Sequence, residues 1–170
     1  MKISFFKTLL ILLSVSGLSA VSLNSVSAGR LFVTEDIELN ASPNTVWKMI
    51  GGFNSLDVWH PVVIDSQIQG NGMKPGDVRV LTLLNGSKIT EKLIALSNTK
   101  KAYTYAITDS PLPVMDYVST LSVSESNKGK TRVEWKSTFN AINTPDDEAV
   151  ETIAGIYHAG LNNLGKYFNQ

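Results

Sequence analysis

"TRVEWKSTFNAINTPDDEAVETIAGIYHAGLNNLGKYF", residues 131–168, changes its hydrophobic period once, and that change decides the fold. From Thr131 to Phe139 the period is two. Val133, Trp135, Ser137 and Phe139 fall on one side, and Arg132, Glu134, Lys136 and Thr138 on the other. A strand with one wet face belongs to an antiparallel sheet whose second face is covered by the rest of the protein. After Pro145 the period is that of a helix. Proline is favoured at a helix start, and Asp146, Asp147 and Glu148 follow in the first turn, where the helix dipole favours negative charge. Val150, Ile153, Ala154, Tyr157, Leu161, Leu164 and Phe168 then share an arc of about 100°, the stripe of a helix lying on a core. Gly160 and Gly165 flank that stripe. Close approach of helix to sheet, a widened internal space and simple tolerance of glycine all fit them.

Upstream, the pattern extends the same sheet. Leu31 to Asn40 alternates as a strand, with Leu31, Val33, Ile37 and Leu39 on one side. Ser42-Pro43 then starts a helix, serine capping it and proline taking its first position. That helix turns Val46, Trp47, Ile50 and Phe53 inward, and "GGFNSLDVWHP", residues 51–61, gives a bend and a second short helix that Pro61 ends. Six strands follow from Val62 to Ala141. They are separated by turn signals at Gly70 to Gly76, Asn85-Gly86, Asn98 to Lys101, Pro111 to Pro113 and Asn127 to Gly129.

Composition sets the bounds. Met1 to Ala28 has Lys2 and Lys7, an apolar run from Leu9 to Leu18 and small residues at Val26-Ser27-Ala28, the pattern of a secretory signal peptide. Ser14, Ser16, Ser19, Ser22 and Asn24 break the run well short of the about 20 apolar residues that a spanning helix needs, so no stable membrane anchor is expected. Cleavage after Ala28 is expected, with Ala20 the other site that fits the small-residue rule. The remaining chain, 29–170, is one domain by length, with 13 basic against 15 acidic residues and a net charge of −2. It lacks the concentrated basic face of a nucleic-acid binder. With no cysteine it has no disulfide framework, thiol nucleophile, thiolate metal site or lipidated N-terminal cysteine, and a periplasmic or secreted, freely soluble protein is expected.

"DVRVLTLLNGSKITEKL", residues 77–93, is a hairpin that carries a charge among the apolar positions of each strand. A two-residue turn at Asn85-Gly86 would set Arg79 opposite Lys92 and turn Glu91 to the other face. A three-residue turn, Leu84 to Gly86 with Gly86 left-handed, would set Arg79 directly opposite Glu91. The second register pairs opposite charges, worth roughly 0.2–1 kcal/mol over an alanine pair, where the first pairs like ones. It also gathers Leu81, Leu83, Ile89, Leu93 and Ala95 on the face of Arg79 and Glu91 and leaves Lys88, Thr90 and Lys92 outside. The three-residue register is therefore preferred.

The order of strand, two short helices, six strands and long helix resembles the helix-grip superfamily of START lipid-transfer domains, birch-pollen-type allergens and polyketide cyclase/dehydrase proteins, often called SRPBCC proteins. The resemblance covers residues 31–168. It is carried by "SPNTVWKMIGGFNSLDVWHPVV" (42–63), "GMKPGDVRVLTLLNG" (72–86), "EKL" (91–93) and "YTYAITDSPLPVMDYVSTLSV" (103–123). With its Trp-His-Pro motif the chain looks similar to lachrymatory-factor-synthase-like proteins and to periplasmic proteins associated with bacterial methanol oxidation. The resemblance implies an α+β helix-grip fold, a seven-stranded curved antiparallel sheet around the long C-terminal helix, with an elongated apolar cavity between them that holds a hydrophobic small molecule.

Strand and helix parity then names the residues turned toward such a cavity: Trp59, Leu81, Leu83, Ile89, Leu93, Tyr103, Tyr105, Ile107, Tyr117, Leu121, Val133, Trp135, Phe139, Tyr157 and Leu161. An inward Arg79–Glu91 pair reads in two ways. It is a satisfied ion pair that can anchor a ligand head group, such as a carboxylate on the arginine. Alternatively it is a catalytic pair, with Glu91 moving a proton and Arg79 steadying an oxyanion. Tyr105 is then a candidate proton donor, and the resemblance to lachrymatory-factor-synthase-like proteins supports such a grouping of Arg79, Glu91 and Tyr105. The functions that follow are an exported carrier of a lipid-like or aromatic molecule, a cyclase, lyase or isomerase working by proton transfer, and an accessory protein of a periplasmic oxidoreductase. His60 and His158 stand far apart and read as structural, so neither a metal site nor a cofactor is expected.

Overall fold

The computed structural model describes residues 30–170, so the leader assigned to residues 1–28 lies outside the described residues. β1 (Leu31–Leu39) leads into α1 (Pro43–Ile50) and the single-turn α2 (Leu56–Trp59). β2 (Val63–Gln69), β3 (Val78–Leu83), β4 (Lys88–Ser97), β5 (Ala102–Asp109), β6 (Val114–Glu125) and β7 (Thr131–Ala141) follow, and α3 (Asp146–Phe168) ends the chain. All seven strands form one antiparallel sheet in the order β1-β7-β6-β5-β4-β3-β2. The two short helices carry the chain from one sheet edge to the other, and five successive antiparallel connections bring it back. This is the α+β helix-grip architecture expected from the sequence.

Local chemistry explains the joints. Ser42 caps α1 by accepting from the Thr45 N–H at 3.2 Å, with Pro43 next to it in the first turn. At the β3–β4 turn the Leu83 N–H donates to the Ser87 carbonyl and the Gly86 N–H to the Leu83 carbonyl, with Gly86 at φ +81°. That is the three-residue turn, and it places Arg79 opposite Glu91 and Leu81 opposite Ile89. Left-handed backbone at residue 86 is what glycine supplies without a Cβ clash.

α3 buries Ala149, Ile153, Tyr157, Gly160, Leu161 and Leu164 against the concave face, while Val150, Ala154 and Phe168 sit half-buried at its border. The buried stripe thus includes Gly160 rather than being flanked by it. A Cβ at Gly160 would lie 2.6 Å from the His60 ring and 2.9 Å from the Trp59 ring, so this glycine is a notch that receives α2. Two hydrogen bonds hold the same junction: Asn163 Nδ2 donates to the Trp59 carbonyl at 3.0 Å, and His60 Nε2 donates to the Ile156 carbonyl at 2.9 Å. Gly165 makes the corresponding close approach to the sheet, facing Ile37 of β1.

Candidate functional site

The site starts from the β3–β4 register. Arg79 Nε donates to Glu91 Oε2 at 2.5 Å, with Arg79 0% and Glu91 4% exposed. The guanidinium is enclosed by protein. Its Nη1 donates to the Phe53 carbonyl in the bend between α1 and α2, and its Cζ lies 4.3 Å from the Phe53 ring centroid and 5.1 Å from that of Tyr105. Cation–π attraction of this kind strengthens when the cation is desolvated. Nη2 has no hydrogen-bond partner among the described residues. Burial pushes the Glu91 carboxyl above its usual range, and Arg79 pulls it part of the way back. Burial alone would lower the Arg79 value, but Glu91 opposite, together with Tyr103 and Tyr105, more than offsets this and the guanidinium stays charged.

Beneath α3 lies a cavity of about 50 Å³. Glu91, Tyr105, Leu81, Leu83, Tyr117, Trp135 and Tyr157 line it, as do Ile89 and Ile107. Arg79 does not. Trp59, Leu93, Tyr103, Leu121, Phe139 and Leu161 are all buried but pack as core without lining it. The expected elongated cavity is therefore a small one, because aromatic rings fill the interior: Trp135 stacks on Tyr157 at 4.3 Å, and Tyr105 sits 5.9 Å from Tyr103 and 6.2 Å from Tyr117. At about 10–15 Å³ for each water-sized group, the space takes about four of them, against about 300–1,000 Å³ for a drug-sized pocket.

The lining also includes Leu56, His60, Val62, Val63, Leu112, Ile153 and Ile156. Ile153 was legible on the α3 stripe. Leu112 and Val62 lie in turns, where alternation carries no signal.

A chain of hydroxyls forms the polar part of the wall. Ser119 Oγ donates to the Lys136 carbonyl at 2.9 Å, so its oxygen accepts from Trp135 Nε1 at 3.0 Å and from the Tyr157 hydroxyl at 3.1 Å. Tyr157, its proton thus committed, accepts from the Tyr117 hydroxyl at 2.5 Å. Trp135 Nε1 also reaches the Tyr105 hydroxyl at 3.1 Å. Tyr105 is left with an O–H proton that meets no acceptor among the described residues. Burial pushes Tyr105 and Tyr117 well above the ordinary tyrosine value and Tyr157 up to about 12, so at neutral pH all three are donors rather than bases.

His60 is a structural joint at the cavity edge. With Nε2–H on the Ile156 carbonyl, its Nδ1 is free to accept from the Val62 N–H, at 3.4 Å. Burial lowers its pKa from 6.5, the Ile156 carbonyl opposes that shift and the Arg79 charge adds to it. The folded state therefore prefers neutral His60, a contribution present above pH 6.5 and lost as pH falls through the depressed folded value. Urea denaturation across that window should show wild type losing stability relative to His60→Gln by at most about 1.4 kcal/mol per pH unit, the limit for one proton. Parallel curves for the two proteins would contradict this. His158 lies elsewhere, exposed, 2.7 Å from Glu35 Oε2. Among the described residues no three His, Cys, Asp or Glu side chains converge to hold a metal, and no helix is long and apolar enough to cross a membrane.

A curved seven-stranded sheet gripping a C-terminal helix over an apolar interior, with a buried ion pair whose carboxylate residue lines the cavity, defines a helix-grip protein. Within that class the chain belongs to the family described as polyketide cyclase / dehydrase and lipid transport, which it matches over residues 30–169. Among solved structures it is similar to the protein XoxI from Bacillus cereus, at 36% identity and TM-score 0.77, over 82% of this chain and 96% of that one. An uncharacterized protein from Bacillus thuringiensis matches at 35% identity and TM-score 0.77, over 82% and 100%. A protein from Nitrosospira multiformis matches at 25% identity and TM-score 0.71, over 81% and 96%. A comparison with curated proteins gives no match.

Proposed function

We propose that this is an exported carrier or sequestering protein for a small, mostly apolar molecule held between sheet and α3. The observation that carries this is a mostly apolar space under α3 that Glu91 and Tyr105 help to line, together with membership of a family described as polyketide cyclase / dehydrase and lipid transport. The size of the space favours a molecule of a few heavy atoms over a lipid chain. Cleavage after Ala28, and arrival in the compartment where a periplasmic oxidoreductase would meet the protein, belong to the same reading. The test is to extract the purified protein with organic solvent, analyse the extract by mass spectrometry, and titrate the emptied protein with small apolar compounds. Ile153→Phe, which puts a larger side chain into the cavity wall, should abolish binding with the fold intact by circular dichroism. An empty extract with no saturable titration would refute the proposal.

A specific observation favours a second reading. Glu91, its carboxyl raised by burial, and Tyr105 line the same space and could act as base and acid on a bound molecule. In that case Glu91→Gln, read only where circular dichroism shows it folded since it leaves Arg79 uncompensated, stops turnover while binding persists.

A further inference from the structure

Of the polar residues that line the cavity, Glu91 and Tyr105 are the two with hydrogen-bonding capacity to spare. Glu91 gives its Oε2 to Arg79, and its Oε1 has no partner among the described residues. Leu93 lies opposite Tyr105 and Glu91 opposite Ile107, so the two polar residues stand one step apart on the same face of adjacent strands. One offers an acceptor and the other a donor. Arg79 lies behind this wall, enclosed by Phe53 and the tyrosine rings, so no ligand meets its charge directly.

Resting on the binding reading above, we infer that the cavity selects a neutral molecule with a hydroxyl-type group, one that donates to Glu91 and accepts from Tyr105, on an apolar body of a few heavy atoms. Charge decides against the alternatives. Arg79 and Glu91 already cancel. An ammonium group would leave a net buried cation, and a carboxylate would meet Glu91 with the arginine walled off behind it; neither excess charge is tolerated in an apolar interior. A hydrocarbon would leave both wall groups unsatisfied. A ketone would accept from Tyr105 but give Glu91 nothing. In about 50 Å³, a single oxygen that plays both roles takes the least room.

Four compounds of nearly one shape test this: isobutanol, isobutylammonium, isobutyrate and isopentane, titrated into the protein while the methyl resonances of Ile89 and Ile153 are followed. Isobutanol should bind saturably and the two ions should not. Glu91→Gln leaves Arg79 uncompensated, so the deciding variant is Tyr105→Phe, in which the Trp135 N–H keeps Ser119 as its acceptor. That change should weaken isobutanol about two- to tenfold and leave isopentane unchanged. Binding of either ion at least as tightly as isobutanol, or an isobutanol affinity indifferent to Tyr105→Phe, overturns the hydroxyl inference while leaving the binding reading standing. Silence from all four compounds overturns both.

Discussion

Arg79→Met should destabilise the protein by about 3–5 kcal/mol at neutral pH, measured by urea denaturation. The loss comes less from the missing attraction than from what remains, a Glu91 carboxylate 4% exposed with no cation beside it. Its pKa, already above the ordinary 4.5 with Arg79 in place, rises further when that opposing influence is gone. The sign follows. A carboxyl whose folded pKa is raised contributes stability that is fully present below pH 4.5 and is lost as pH rises through the folded value. The variant's deficit should therefore shrink on acidification. Arg79→Met/Glu91→Leu should recover most of the loss, since apolar replacement of a whole buried pair is often neutral or stabilising. A double variant as unstable as the single one would show that the pair holds the hairpin for some reason other than charge compensation.

Phe53→Ala should cost a similar about 3–5 kcal/mol, the usual range for a buried phenylalanine truncated to alanine. Phe53 is 1% exposed, and its ring is a shelf under the guanidinium as well as an edge contact to Tyr103 at 6.0 Å. Its carbonyl, which accepts from Arg79, belongs to the backbone and survives the change. Phe53→Leu separates the two effects of the ring. It restores most of the volume, so a packing role predicts a residual cost under about 1.5 kcal/mol, whereas a shelf for the cation predicts a further about 0.5–2 kcal/mol. Loss of the shelf should also loosen Glu91 and weaken isobutanol more than isopentane, a difference that pure packing would not produce.

The architecture was readable where strands such as β1 and β7 alternate buried and more exposed residues. Alternation in Thr131–Ala141 and the stripe on α3 needed no knowledge of neighbours. The β3–β4 register was readable for a different reason: among the two turns open to Leu84-Asn85-Gly86, only one avoided facing Arg79 with Lys92. Parity could not say what lies above an inward side chain. Leu93 and Leu121 face inward as their positions require, yet they are buried in the core without lining the cavity, and that depends on rotamers and on how deeply α3 seats. The same blindness made Arg79 look like a group on the cavity wall, when Phe53, 26 residues away in a bend, closes over it. His60 read as structural, with no partner named. Its partner, the Ile156 carbonyl, is 96 residues distant and carries no signature in side-chain sequence.

The small cavity also gives the protein a mechanical property. A space of about 50 Å³ per molecule amounts to about 30 mL per mole, within the span of volume changes, about 20–100 mL/mol, by which pressure drives proteins to unfold. The wall that Glu91, Tyr105 and Trp135 help to form thus stores volume as well as selecting polarity. Compression and a bound molecule act on that volume in opposite ways: compression favours the unfolded chain, in which the space disappears, and an occupant fills the space while the fold stays intact.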